Sequence, residues 1–247
     1  MNRKIIGIYA AVLVISAALV AIFIRVGAGV PESELPPAIA TGAEPVETFF
    51  KIEGDLPMTR QDGKEVRFAD LRGKVTVLAQ FFAVCPHCAV RNGAELKSIG
   101  DSFGSHPDFR MMCLSVDPET DGVPELKAYA EALGAETEKW WFTRSENRAE
   151  THRFLEENLR FFKIKEGTDP VDINSNGRYS HDLGLILIDR DLNVVGKWPL
   201  ADARSKEAQE RDPGLYDRLH DEMFARIREL LDSASGVETN PGDTDHE

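Results

Sequence analysis

Two cysteines, Cys85 and Cys88, are separated only by Pro86 and His87, and they follow an apolar run that begins at Val75. The thiolate form of cysteine attacks disulfides and binds soft metal ions such as Cu(I). Unpaired N–H groups and the positive end of the dipole at a helix N-terminus stabilise a thiolate. A Cys-x-x-Cys pair that opens a helix therefore supports both disulfide exchange and metal binding.

The spacing also predicts separate roles for the cysteines. In a site of this kind Cys85 is the exposed nucleophile and Cys88 the resolving thiol. His87 can lower the thiol pKa through its positive charge or a hydrogen bond, or it is an exposed histidine without a role. The third cysteine, Cys113, lies in an apolar stretch, so we expect a buried structural thiol.

The elements that must position the dithiol alternate between strand and helix. Apolar runs predict strands, and apolar residues at helical spacing predict helices. This order predicts an α/β protein with a thioredoxin-like fold, in which helices flank a central mixed β-sheet. The predicted strands are Phe49–Ile52, Val75–Phe82, Phe109–Val116, Trp140–Phe142, Leu183–Ile188 and Asn193–Trp198, and the predicted helices are Ala89–Ile99, Pro124–Leu133, Ala149–Phe162 and Leu215–Leu231.

Among the six histidines, His181 has the most informative position, just before the predicted strand Leu183–Ile188. In thioredoxin-like oxidoreductases a cis-proline starts the corresponding strand and faces the dithiol, but no proline lies between Pro170 and Pro199 here. A histidine in that place would face the two cysteines and complete a metal site of two sulfurs and one nitrogen. The alternative is an ordinary loop residue.

Several other polar and aromatic residues are expected to have structural rather than functional roles. Asp117 and Asp121 are interpreted as residues that end a strand, with orientation of the site as the alternative. Trp140, Trp141 and the pair Phe161–Phe162 are interpreted as packing residues rather than a binding platform. The polar stretch Lys165–Ser180 is predicted to be a loop.

The first residues of the chain predict a membrane anchor. Ile5–Ile24 carries no charge and is long enough to cross the hydrocarbon core of a bilayer. Arg3 and Lys4 precede it, which places the N-terminus in the cytoplasm and the rest outside. We expect a single pass through the inner (cytoplasmic) membrane, with the soluble domain on the periplasmic or extracytoplasmic side. A cleaved signal peptide is the alternative.

The predicted organisation has four parts. A transmembrane anchor spans 1–26, a flexible Gly- and Pro-containing linker 27–46, the thioredoxin-like domain 47–232, and a disordered acidic tail 233–247. The formal net charge of -13 argues against a nucleic-acid partner, because such a surface needs a basic face.

Several segments resemble the SCO/SenC family, whose members are membrane-anchored, thioredoxin-fold copper proteins that assist assembly of the dinuclear copper centre of cytochrome c oxidase. The resemblance covers Thr48–Trp198. The residues that carry it are Asp70–Lys74, the Leu-Ser-Val-Asp-Pro-Glu-Thr-Asp segment Leu114–Asp121, Leu126–Ala130 with Leu133–Ala135, Trp140–Phe142, and Ser180-His181 ahead of Leu185–Asp189.

The resemblance implies that Cys85, Cys88 and His181 bind Cu(I) outside the membrane and that a copper-containing oxidase subunit is the partner. One feature departs from the family pattern, which spaces its cysteines by three residues and places proline after the second. Here two residues intervene and Ala89 follows. Copper(I) would still accept two thiolates and an imidazole as ligands.

A tighter cysteine pair closes readily into a disulfide, which favours an alternative function. In it the chain is a membrane-tethered thiol-disulfide oxidoreductase, with Cys85 and Cys88 catalytic, no metal, and another extracytoplasmic thiol protein as partner. Whether the protein is an enzyme is therefore open. A peroxidase relationship is less favoured, since neither cysteine lies in a Thr-x-x-Cys context.

Overall fold

The computed structural model describes residues 48–83, 92–169, 173 and 177–233. Every described residue lies in the unit Val46–Glu247. Within the described part, no helix has the length and apolar character needed to cross a bilayer. The predicted anchor, the linker, Cys85 with Cys88, and the tail from residue 234 onward lie outside the described residues.

Ten strands occur in the described part of the chain. Eight of them form one mixed sheet, and the other two pair separately. The strands are β1 (Phe50–Lys51), β2 (Pro57–Arg60), β3 (Glu65–Arg67), β4 (Val75–Phe81), β5 (Phe109–Ser115), β6 (Trp140–Arg144), β7 (Lys165–Glu166), β8 (Tyr179–Ser180), β9 (Leu185–Ile188) and β10 (Asn193–Trp198). The sheet order is β1, β10, β9, β4, β5, β6, β2, β3, and β7 pairs with β8.

Six α-helices accompany these strands in the described residues. They are α1 (Gly93–Phe103), α2 (Val123–Leu133), α3 (Arg148–Arg153), α4 (Leu200–Ala203), α5 (Lys206–Arg211) and α6 (Leu215–Asp232). The end of α2 follows the sequence signal, because Gly134 takes the left-handed conformation with φ of 69°. The predicted α/β architecture, a central mixed sheet with flanking helices, is confirmed.

Strand β4 is central, and all 7 of its residues are buried. It pairs in parallel with β5, where Phe81 lies opposite Ser115, and antiparallel with β9, where Leu78 lies opposite Ile186. A strand buried on both faces needs apolar residues at nearly every position, which explains its continuous apolar run.

Alternate residues of β4 point into two hydrophobic cores. Val77 and Phe81 face the core that α1, α2 and α6 cover. Leu78 faces the other core, together with Phe82 just beyond the strand. The second core is closed by the segment that follows α3, including Phe154, Leu155, Leu159 and Phe161.

The structure corrects the predicted helix Ala149–Phe162. Helix α3 continues only as a π-helical turn, Phe154–Asn158, and Arg160 has a positive φ of 51°, which takes the chain out of the helix. Phe161 is buried as expected, but Phe162 is 71% exposed, so the packing prediction is wrong for that residue.

The interval predicted as a polar loop also contains short strands. Lys165 pairs with Ser180 and Glu166 pairs with Tyr179, so β7 and β8 bring the two ends of the interval together. Strands of two residues carry too little apolar periodicity to be detected in the sequence.

Candidate functional site

The residues before the dithiol and the residues before β9 meet at one end of the sheet. Because β4 and β9 are antiparallel, with Leu78 opposite Ile186, the end of β4 and the residues before β9 lie at the same end of the sheet. The His181 ring does contact this end of the sheet. Its centroid lies 5.6 Å from that of the Phe82 ring, at an interplanar angle of 78°.

The His181 ring is oriented by the backbone beside it. Its Nδ1 atom lies 3.0 Å from the Asp182 carbonyl oxygen. A neutral imidazole that donates its Nδ1–H to a carbonyl carries its lone pair on Nε2, and metal-binding histidines are commonly oriented in this way. The geometry therefore assigns Nε2 as the atom that would bind a metal.

A buried carboxylate fixes the turn that carries His181. Asp182 is 5% exposed, and it accepts hydrogen bonds from the Gly184 N–H (2.8 Å) and the Phe162 N–H (3.2 Å). Its Oδ2 atom also forms an ion pair with Lys197 on β10. The lysine ammonium lies 4.2 Å from the centroid of the exposed Phe162 ring. These bonds hold the backbone on the β9 side of His181 in place.

Two side chains anchor the backbone on either side of residues 84–91. The Asp121 Oδ2 atom accepts a hydrogen bond from the Ala83 N–H (2.9 Å) and another from the Ser115 hydroxyl (2.5 Å). Beyond the segment, the Asn92 side-chain amide donates to the Leu183 carbonyl oxygen (2.9 Å). The interpretation of Asp121 as a residue that only ends a strand is therefore incomplete, because its carboxyl also bonds the backbone that leads to the dithiol.

Burial raises the pKa of the Asp121 carboxyl to about 6. The hydrogen bonds from Ser115 and Ala83 lower the pKa, and the negative charges of Asp117 and Glu125 raise it. Asp121 is fully buried, and its second oxygen, Oδ1, has no hydrogen-bond partner among the described residues.

The third cysteine takes no part in this region. Cys113 is fully buried in β5, and its sulfur accepts a hydrogen bond from the Trp140 indole N–H at 3.4 Å. Burial raises the pKa of the Cys113 thiol to about 12, so the thiol stays protonated and unreactive. The prediction of a buried structural thiol is confirmed.

The predicted ligand set is only partly within the described residues. His181 is described, whereas Cys85 and Cys88 are not, and the described part of the chain contains no group of three or more His, Cys, Asp or Glu side chains able to bind a metal. Sequence reasoning did not identify Asn92 as a site residue. Its only signal was its position at the end of the dithiol segment.

The SCO1/SenC family model matches residues 46–211. The chain belongs to the SCO1/SenC family. A relative, the SCO1 protein homolog of Bacillus subtilis (strain 168), is 27% identical over 167 residues, which cover 66% of this chain and 85% of the relative. The family resemblance stated from the sequence is confirmed.

Solved structures share the fold of this SCO1/SenC chain. BsSco, described as a member of the Sco family of cytochrome c oxidase assembly proteins, gives a TM-score of 0.57 at 18% identity, over 79% of this chain and 100% of BsSco. ScoI of Bradyrhizobium japonicum, solved with copper bound, gives 0.54 at 19% identity, over 72% of this chain and 99% of ScoI. At such identities the likeness shows the fold, which confirms the thioredoxin-like prediction.

Proposed function

We propose that this SCO1/SenC protein binds Cu(I) through the thiolates of Cys85 and Cys88 and the Nε2 atom of His181, and that it assists assembly of the copper centre of cytochrome c oxidase. The contact between the His181 and Phe82 rings carries the proposal. Phe82 lies three residues before Cys85, although nearly a hundred positions separate Cys85 from His181 in the sequence.

The donor set suits the proposed cargo. Thiolate sulfur is a soft ligand that selects Cu(I), and neutral imidazole also binds copper. Both thiols must lose their protons when the metal binds, so binding strengthens as pH rises. Copper is bound in the structure of Bradyrhizobium japonicum ScoI, and BsSco is described as an oxidase assembly protein, which supports the same cargo and a copper-containing oxidase subunit as partner here.

An anaerobic Cu(I) titration of the reduced protein against a competing chelator tests the proposal. We expect one tight equivalent in the wild type and at least about tenfold weaker binding in His181→Ala, because a three-coordinate site loses one ligand. His106→Ala is the matched control. His106 precedes β5 at the opposite end of the sheet, where its Nδ1 accepts a hydrogen bond from the Asp108 N–H (3.2 Å), so its removal should leave the affinity unchanged.

Weak and equal binding in the wild type and in His181→Ala would contradict the copper proposal. Equal losses in His181→Ala and His106→Ala would contradict the assignment of His181 as a ligand, because the losses would then reflect general destabilisation.

The two-residue spacing of the cysteines favours thiol-disulfide exchange as a second candidate function. In this reaction the Cys85 thiolate attacks a partner disulfide and forms a mixed disulfide, and one partner sulfur leaves as a thiolate. The Cys88 thiolate then attacks Cys85, which releases the second partner thiolate and leaves Cys85 and Cys88 joined. Two electrons pass to the partner. Cys85→Ser should abolish reduction of a disulfide peptide, and undiminished turnover would exclude this function.

We also propose that Ile5–Ile24 anchors the protein in the cytoplasmic membrane, with the thioredoxin-like domain outside. The full chain should remain in the membrane fraction after alkaline extraction. Protease added to spheroplasts should degrade the domain. Release by alkali, or protection from the protease, would contradict this topology.

A further inference from the structure

Several buried polar side-chain atoms without a hydrogen-bond partner belong to residues near the two described ends of the dithiol segment, Ala83 and Asn92. Of the eight such side-chain atoms in the described residues, five belong to Gln80, Asn92, Asp117 and Asp121. Gln80 and Asn92 lie close in sequence to residues 84–91, and Asp121 bonds the Ala83 N–H just before them. A buried polar atom that no protein group, water or ligand satisfies costs free energy, so these side chains are candidates for a role beyond packing.

Strand β4 ends shortly before the dithiol. Beyond its end, the Asp121 carboxylate accepts the backbone hydrogen bond that a neighbouring strand would otherwise accept. Just beyond β5, the Val116 N–H donates to the Phe81 carbonyl at 2.8 Å. Two residues later, the Ala83 N–H donates to the Asp121 carboxylate instead. Because the same carboxylate oxygen also accepts from Ser115, the backbone two residues before Cys85 is fixed to β5.

Asn92 anchors the other end of the segment. Its hydrogen bond goes to the part of the chain that carries His181. Its amide N–H donates to the carbonyl of Leu183, two residues beyond His181. Asn92 is 5% exposed, so water competes little for this bond. The chain that leaves the dithiol segment is therefore joined to the turn that holds the imidazole.

On the basis of the proposed dithiol chemistry, we infer that Asp121 and Asn92 are positioning residues that set the place of Cys85 and Cys88 relative to His181. Asp121 fixes the entrance to the segment against β5, and Asn92 fixes its exit against the His181 turn. Neither side chain is proposed as a ligand. A site of two thiolates and one imidazole requires this kind of support, because a displaced ligand lowers metal affinity.

Two substitutions that keep the side-chain volume, Asp121→Asn and Asn92→Asp, test whether positioning depends on the hydrogen bonds or only on the shape of the side chain. Asp121→Asn keeps an oxygen that can accept from Ala83 and Ser115, so the Cu(I) affinity should stay within about threefold of the wild type, whereas Asp121→Ala should weaken binding about tenfold or more. Asn92→Asp keeps the volume but replaces the donor with a carboxylate that faces the Leu183 carbonyl. It should also weaken binding about tenfold or more.

Gln61→Leu controls for stability. Gln61 is 2% exposed, and its amide bonds the backbone of β6 twice, to the Trp140 carbonyl (2.8 Å) and the Phe142 N–H (2.9 Å), away from β4. We expect a lower unfolding temperature but an unchanged Cu(I) affinity. If Gln61→Leu weakens copper binding as much as Asp121→Ala does, or if Asp121→Ala and Asn92→Asp bind like the wild type, the inference is wrong.

A second measurement separates this inference from the copper proposal. The fraction of Cys85–Cys88 disulfide is measured in glutathione buffers, without metal, for the same variants. Asp121→Ala and Asn92→Asp should change the glutathione ratio at half-oxidation at least about threefold, and Gln61→Leu should not. If the wild type binds no Cu(I), the copper proposal fails, while this shift still supports positioning. Identical midpoints in all the variants would overturn positioning.

Discussion

The Asp121 side chain is fully buried, so the charge state of its carboxyl affects the stability of the fold. Its pKa is raised to about 6 in the folded protein, from an ordinary value of 3.8. Folding therefore favours the protonated form. The stability that protonation adds is fully present below the ordinary pKa and is lost as the pH rises through the raised pKa.

We accordingly predict that metal-free wild-type protein loses stability between about pH 4 and pH 7, by on the order of 2–3 kcal/mol relative to Asp121→Asn, which cannot ionise. Urea unfolding followed by tryptophan fluorescence measures the difference. Asp101→Asn is the control, because Asp101 is an exposed residue that pairs with Lys97 on α1. Parallel pH curves for wild type and Asp121→Asn would show that Asp121 does not titrate in this range.

Cys113 offers a second test at the scale of one residue. In a Cys85→Ser/Cys88→Ser variant it is the only cysteine left in the chain. Because the thiol is fully buried and its pKa is raised to about 12, a thiol reagent at neutral pH should react with it only after denaturant is added. Reaction of the native protein at the rate of a small thiol would contradict this burial.

At the scale of elements, the site depends on how the β8 segment meets the end of β4. Gly177, two residues before β8, has φ of 90°, and a Cβ atom there would overlap the Phe82 ring. Phe82 in turn contacts His181. Glycine is required at this position both by the left-handed backbone and by the close approach of the ring.

Gly177→Ala and Gly134→Ala form a matched pair. Both glycines have positive φ, but a Cβ on Gly134 would meet nothing within 4 Å. Each alanine should cost about 1 kcal/mol of stability from backbone strain, and Gly177→Ala should cost more because of the overlap. Only Gly177→Ala should also weaken Cu(I) binding, since it displaces Phe82 from His181. Unchanged affinity in Gly177→Ala would show that this packing does not position the histidine.

The sequence predicted elements well where the apolar pattern was long. The centres of β4, β5, α2 and α6 agree with the predictions because each carries a continuous or periodic apolar pattern. The predicted helix Ala149–Phe162 ends early because a π-helical turn and the positive φ of Arg160 redirect the chain. Apolar residues continue through that turn, so sequence periodicity could not reveal its end.

At the scale of the whole molecule, α6 closes the core on one face of the sheet. It buries five apolar side chains against β4 and its neighbours: Met223, Phe224, Ile227, Leu230 and Leu231. Burial of each such side chain contributes about 1.5–3 kcal/mol, and the sum is comparable with the net stability of a domain of this size.

Truncation of residues 213–247 should therefore prevent folding. Removal of residues 234–247 alone, which lie within the tail 233–247 that the sequence predicts to be disordered, should leave the unfolding temperature unchanged. Circular dichroism and thermal unfolding of the two truncated proteins measure this contrast. A folded protein without α6 would contradict its role in closing the core, and a large loss on removal of the tail would contradict the disorder prediction.

Residue types and their spacing were enough to predict the chemistry open to this SCO1/SenC protein: a Cys-x-x-Cys pair after a buried strand, a buried third cysteine, and alternating strands and helices. Such features depend only on residues that are close together in the sequence, so they are predictable from it. The folded structure was needed to see that His181 contacts Phe82 and that Asp121 and Asn92 bond the backbone on either side of residues 84–91. Antiparallel pairing of β4 with β9 joins residues about a hundred positions apart, and no local pattern specifies such pairing or the side-chain bonds that accompany it.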